Sequence, residues 1–188
     1  MMELCVTNLS KSYDGRAVLE NVSFTAPVGL TRIAGNSGIG KTTLLRILLG
    51  LEAPDSGTSA PKNLRWAAVF QEDRLLEGLD AAGNLRFVLG AAYDGQEAAR
   101  LLEELGIGDV GEKKVRDYSG GMKRRLALAR ALLAPCDALA LDEPFTGLDR
   151  ASRDAALRAV LRAAEEKIVL LAAHEVLALP ARCGEVRL

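Results

Sequence analysis

What the sequence has little of narrows it first. Its three cysteines, Cys5, Cys136 and Cys183, are odd in number and far apart. That excludes a disulfide framework or a paired-cysteine zinc site and predicts small buried apolar residues in a reducing compartment. Lysine and arginine number 24 against 25 aspartates and glutamates, for a net charge of −1. There is no basic footprint for nucleic acid, and no nucleic-acid partner is expected. No apolar run approaches the roughly 20 residues that span a bilayer, and the apolar stretch at 168–173 is far too short. The start, Met1-Met2-Glu3-Leu4-Cys5-Val6, has no basic region followed by a long apolar one, so no signal peptide is expected. What is present is 188 residues, 49% of them apolar, enough for a globular domain with a substantial core.

The chain is organised around Gly35-Asn36-Ser37-Gly38-Ile39-Gly40-Lys41-Thr42-Thr43. The pattern G-x-x-x-x-G-K-T stands between an apolar stretch at 30–34 and a helical one from 41 to about 49, the strand–loop–helix setting of a phosphate-binding loop. Glycines let the backbone curl so that successive N–H groups face one concavity at the positive end of a helix dipole. Lys41 is expected to reach the β- and γ-phosphates, and the Thr42 hydroxyl to take one position on a magnesium ion.

Around this loop the apolar pattern alternates from 3 to 26 with breaks at Asp14-Gly15 and Pro27, which predicts short antiparallel strands with Tyr13 half-exposed at a turn. Pro54-Asp55-Ser56-Gly57 reads as a turn. A strand at 64–70 delivers Gln71, Glu72 and Asp73 to its carboxyl end, where open α/β sheets bind ligands. Helical spacing follows over 80 to about 93 and 96–105, a helical unit inserted between strands. Ser119-Gly120-Gly121 precedes a helix with Met122, Leu126, Ala129 and Leu133 on one face, ended by Pro135. Ser119 is a plausible N-cap, and the adjacent glycines offer N–H groups to an anion. This reads as a second phosphate site, and one domain seldom needs two, so two chains are expected to cooperate. Of Lys123, Arg124, Arg125 and Arg130, most are expected on a solvated face. A buried strand at 138–141 ends in Asp142-Glu143, a pair that can divide magnesium binding from water activation. Asp149 caps a helix running to about Glu166. A buried strand at 168–173 delivers His174, and 184–188 reads as an edge strand.

These pieces in this order resemble the nucleotide-binding subunit of ABC transporters, from 13 to 174. Residues 35–43 resemble its Walker A motif, and 138–143 its Walker B strand with the catalytic glutamate. Ser119-Gly120-Gly121-Met122 resembles the ABC signature, which other phosphate-loop enzymes lack. Tyr13 stands for the aromatic that stacks on adenine, Gln71 for the Q-loop glutamine, Asp149 for the D-loop aspartate and His174 for the switch histidine. Alone, Tyr13, Gln71 and His174 each have an ordinary structural reading; together and in order they read as functional. The chain departs from the pattern at Tyr118, where leucine is usual, and at Arg124, where glutamine is common. Ala173 and Glu175 likewise flank His174 where threonine and aspartate are common.

The resemblance implies an α/β fold: a P-loop NTPase core of the RecA type with an N-terminal antiparallel β subdomain and an inserted helical subdomain. Residues 1–75 and 136–188 would form the core with its β subdomain, and about 76–135 the helical part including the signature helix. It implies ATP and Mg2+ as ligands. Glu143, His174, Gln71 and Lys41 would be catalytic. Tyr13, residues 35–43 and Ser119, Gly120 and Gly121 would hold nucleotide, and Thr42, Gln71 and Asp142 the metal. The expected partners are a second copy, closing an ATP sandwich, and separate transmembrane permease subunits, with the chain peripheral on the cytoplasmic face of the membrane. Phe70-Gln71-Glu72-Asp73-Arg74-Leu75-Leu76 is similar to ATPases of nitrate, sulfonate and taurine importers. A soluble ABC-type ATPase and a phosphate-loop nucleotide kinase stay open as alternatives.

Overall fold

The computed structural model describes residues 2–61, 63–173, 179–181 and 183–188. Two sheets share the work of burial. Strands β1 (Glu3–Tyr13), β2 (Arg16–Pro27) and β4 (Ser56–Ala60) form an antiparallel sheet in the order β2-β1-β4. Strands β3 (Gly29–Ala34), β5 (Trp66–Val69), β6 (Ala138–Asp142), β7 (Ile168–Ala172) and β8 (Gly184–Arg187) form a parallel sheet in the order β5-β6-β7-β3-β8.

The first hairpin is longer than the alternation predicts. β1 and β2 run 11 and 12 residues. Register shifts between Val6 and Leu9 and again between Leu9 and Lys11 interrupt the strict period of two, so the pattern breaks while the strand continues. Asp14 and Gly15 both have positive φ, 49° and 76°, the geometry that joins twisted strands through two residues. The turn predicted at 54–57 ends instead in β4. Gly57 runs against β1 so closely that a Cβ there would lie 2.4 Å from the Asn8 carbonyl oxygen. That glycine marks a close approach of two backbones rather than a loop.

β6 and β7 are buried along their whole length, as expected of strands covered on both faces. Their side chains alternate between two cores. Leu139, Leu141, Val169 and Leu171 face a cluster with the helices α2 (Ala81–Leu89), α3 (Gly95–Glu104), α4 (Gly120–Leu133) and α5 (Arg150–Ala163). Ala138, Ala140, Ile168, Leu170 and Ala172 face α1 (Lys41–Leu48) and the apolar side of the antiparallel sheet, including Leu4, Val6 and Leu9. Each fully buried leucine contributes about 2 kcal/mol. The two cores together fix the parallel sheet and with it the position of every loop at its carboxyl edge. Residues 76–135 hold α2, α3 and α4 and, among the described residues, no strand. α5 stops at Ala163, a few residues before the predicted Glu166. Cys136 is buried as predicted, whereas Cys5 and Cys183 are only partly so.

Candidate functional site

The parallel sheet places three polar ends along one edge. β6 and β7 align Asp142 with Ala172, and β7 and β3 align Ala172 with Ile33. The loop after β3 and the acids after β6 therefore emerge on either side of β7. β5, paired to the outer side of β6, delivers Gln71 beside them.

The loop from Gly35 to Gly40 needs its glycines. Gly35, Gly38 and Gly40 have φ of 153°, 79° and 112°. A Cβ at Gly40 would meet the Val18 carbonyl oxygen at 2.9 Å, and one at Gly35 would meet the Ile39 side chain at 2.7 Å. Gly40 begins α1 with no side-chain cap, so the first N–H groups of that helix are left to a ligand. Lys41 is 5% exposed, and its Nζ donates to the carbonyls of Gly35 at 2.8 Å and Asn36 at 3.0 Å. The ammonium is thereby held at the mouth of the loop. Thr42 Oγ1 donates to Asp142 Oδ2 at 2.7 Å, and Asp142 is 2% exposed.

Glu143 follows at φ 51°, unusual for a residue with a side chain and the kind of strain that clusters at functional positions. Its N–H donates to the Ala172 carbonyl at 2.8 Å, which fixes the turn after β6. Tyr13, Ser37, Lys41, Thr42, Gln71, Asp142 and Glu143 all line one cavity of about 280 Å³. A smaller cavity of about 90 Å³ adjoins it between Thr42, Arg46, Gln71 and Asp142. Tyr13 is 41% exposed at the hairpin tip, and its phenol donates to the Glu52 carboxylate. That bond, first among several causes, raises the Tyr13 pKa. Glu52 was not singled out in the sequence; its role is to tie the hairpin tip to the turn after α1.

The donor set suits magnesium. Thr42 and Asp142 offer hard oxygens at one point of a polyphosphate-sized cavity. Among the described residues there is no group of three or more His, Cys, Asp or Glu that could hold a metal by itself. Magnesium is bound in this way, by one or two protein oxygens together with substrate phosphates.

Ser119, Gly120 and Gly121 lie elsewhere. Ser119 Oγ accepts from the Met122 N–H at 3.2 Å and caps α4, as expected, and none of the three lines the cavity around Lys41. Gly121 instead faces Gly147 and Leu148. Asp149 caps α5, its Oδ1 accepting from the Ser152 N–H at 2.8 Å; that bond is the main cause of its lowered carboxyl pKa. His174 lies outside the described residues.

The basic residues of α4 do not form a solvated face. Arg124 is 8% exposed and donates to the carbonyls of Phe70, at 2.6 Å, and Gln71. Arg125 donates to Leu105 and Gly106, each at 3.0 Å, and Arg130 to Asp73 and Arg74. Lys123 pairs with Glu77 at 2.8 Å. A run of charges at consecutive helical positions cannot share one face, and that geometry was the available signal that some had to turn inward.

Residues 19–146 match the family described as ABC transporter. The chain is 40% identical over 164 residues to the aliphatic sulfonates import ATP-binding protein SsuB 1 of Rhizobium johnstonii, covering 80% of this chain and 59% of that protein. It is 35% identical over 198 residues to the taurine import ATP-binding protein TauB of Ruegeria pomeroyi, covering 94% of this chain and 73% of that one. In the first comparison the chain spans 59%, less than two thirds, of the relative's length. A solved ABC transporter ATP-binding protein from Pyrococcus furiosus superimposes with a TM-score of 0.86 at 25% identity, covering 98% of this chain and 97% of that one. With the glycine loop, the paired acids and the Ser-Gly-Gly helix start in the family's order, the chain belongs to the ABC transporter family.

Proposed function

We propose that this chain binds and hydrolyses ATP to power an importer of a small solute, a sulfonate or a related compound, through separate transmembrane subunits. The observation that carries the reading is the meeting of Lys41, the Thr42–Asp142 pair at 2.7 Å and Glu143 around one cavity. The substrate class rests on the names of the sulfonate and taurine import relatives.

Adenine would stack on Tyr13, with the triphosphate in the cradle of residues 35–43. Magnesium, when bound with the nucleotide, would offset phosphate charge at Thr42, Asp142 and Gln71. Lys41 stabilises charge on the transferring phosphoryl group. Glu143, on its strained turn, takes or orients the proton of the attacking water, and His174 assists at the γ-phosphate. Ser119, Gly120 and Gly121 of a second copy close over that phosphate, because within one chain they stand outside the cavity. Hydrolysis reopens the pair.

Among the described residues no helix is long and apolar enough to cross a membrane. The place for membrane subunits is the apolar surface around α2. Phe87 is 70% and Val88 49% exposed there, with Leu76 and Leu79 in the preceding loop also exposed. Exposed large apolar side chains of this kind suit a protein contact, which would hold the chain on the inner face of the membrane.

Glu143→Gln tests the reading. ATP should still bind, turnover should fall by about 10²-fold or more, and light scattering should show ATP-dependent conversion of monomer to dimer. Unchanged turnover removes Glu143 from the chemistry. ATP binding without dimerisation, persisting when the membrane subunits are supplied, rules out the shared site.

A further inference from the structure

Five residues after the Ser119 cap, α4 turns a guanidinium into the loop that carries Gln71. Arg124 is 8% exposed. Its Nη1 donates to the Phe70 carbonyl at 2.6 Å, its Nη2 to the Gln71 carbonyl, and its Nη1 stands 3.1 Å from Asp73 Oδ1. Six residues later, Arg130 reaches the same loop, donating to the carbonyls of Asp73 at 2.9 Å and Arg74 at 2.8 Å. Two arginines of one helix thus hold four of the five carbonyls between Phe70 and Arg74. The loop has no regular structure to satisfy these groups itself, and partly buried carbonyls left without donors are costly.

We infer that Arg124, balanced by Asp73, is a positioning residue that fixes Gln71 against the nucleotide cavity and ties that glutamine to the helix bearing Ser119-Gly120-Gly121. The inference rests on the proposed ATPase reading and adds to it a specific link between the two half-sites. The chemistry requires arginine. A planar fork can serve two adjacent carbonyls and a carboxylate at once, whereas lysine presents one point charge. Glutamine, the residue common in the family at this position, carries no charge to set against Asp73, whose side chain is 20% exposed. Asp73 and Arg124 therefore form the closest pair in the loop, with Arg130 and Lys123 also acting on the Asp73 carboxylate; removing Arg124 leaves that half-buried carboxylate less compensated.

Two measurements on the full chain decide it. Hydrogen exchange of the 70–75 segment, read by mass spectrometry, should speed up in Arg124→Gln and stay fast in Arg124→Lys. Adding Asp73→Asn to Arg124→Gln should bring it part of the way back, since the under-compensated carboxylate is gone while the Phe70 and Gln71 carbonyls still lack the arginine's donors. ATP turnover should fall about tenfold in Arg124→Gln through kcat, as misplacement of a catalytic group does, with ATP affinity within about twofold, and the double variant should recover part of the loss. Unchanged exchange overturns the clamp whether or not the chain hydrolyses ATP. Faster exchange with unchanged kcat overturns the positioning role. A loss of ATP affinity and thermal stability that Asp73→Asn does not relieve marks Arg124 as structural only. A wild-type chain that binds ATP yet never hydrolyses it, even with membrane subunits, overturns the ATPase reading, and the exchange result still settles the clamp.

Discussion

The chain has two glycine-rich helix starts, and they are built on opposite plans. At α1 the glycines are demanded by the chain itself: Gly40 has φ 112°, and a side chain there would strike the Val18 carbonyl at 2.9 Å. No side chain caps this helix, and a lysine bends back into the loop. At α4 the chain demands nothing of the kind. Gly120 has open space where a Cβ would stand, and Gly121 would make only ordinary contacts, 3.5 Å to the Gly147 carbonyl oxygen and 3.8 Å to Leu148. Neither has positive φ, and Ser119 already caps the helix. Fold requirements account for the glycines before α1 and leave the pair at α4 without a reason inside the chain. On the proposed function the reason lies outside it, in the nucleotide of a second copy that must approach the bare backbone.

The largest effect should come from Gly40→Ala. Forcing a side chain into a left-handed conformation costs about 1–3 kcal/mol before the clash with Val18 is counted. Melting temperature and ATP binding should fall together. Gly121→Ala should separate what Gly40→Ala joins. Alanine favours helix over glycine by up to about 1 kcal/mol, so the melting temperature should hold or rise slightly. ATP should bind the monomer as before, while dimerisation in the Glu143→Gln background and turnover in the wild-type background should each drop by about tenfold or more. A Gly121→Ala chain that dimerises and turns over normally would break the comparison, because nothing would then approach that helix start closely.

How much of this was legible before folding differs between the same two regions. The residues 35–43 announce themselves, because phosphate chemistry and the backbone curl both require glycines at fixed spacing. The paired acids of β6 were readable for a similar reason, since a fully apolar strand ending abruptly in two carboxylates has few other uses. β4 was not readable: Ser56-Gly57-Thr58-Ser59-Ala60 is exposed nearly throughout, lacks the apolar alternation that marks a strand, and owes its pairing to a backbone contact at Gly57. What Arg124 turns inward to meet was invisible for a different reason. Its partners are carbonyl oxygens of Phe70 and Gln71, far away in the chain, and a carbonyl has no sequence signature. Glu52 escaped likewise, because its bond to Tyr13 joins a turn to a hairpin tip across 39 residues.

The finest comparison runs along a single strand. β6 has a carboxylate at each end: Asp142 is buried against Thr42 at the carboxyl edge, and Asp137 is only partly buried just before the strand begins. Arg65 meets Asp137 with its guanidinium at 2.8 and 3.0 Å and its backbone N–H at 2.9 Å. The guanidinium first and the N–H second bring the Asp137 carboxyl from its ordinary 3.8 to about 2. A folded-state pKa below the unfolded one means stability that is present above the unfolded value and is lost as pH falls towards the folded one. Asp137→Asn should therefore lower the melting temperature slightly near neutrality, and the gap from wild type should close between about pH 5 and about pH 2. The effect should be the smallest of the set, and added salt should reduce it further, because Arg65 is 67% exposed and such pairs are weakened by solvent. ATP binding and turnover should not change, since Asp137 sits at the end of β6 away from the cavity. A loss of turnover in Asp137→Asn would mean that the strand transmits strain along its length, and the division between its structural and its chemical end would not hold.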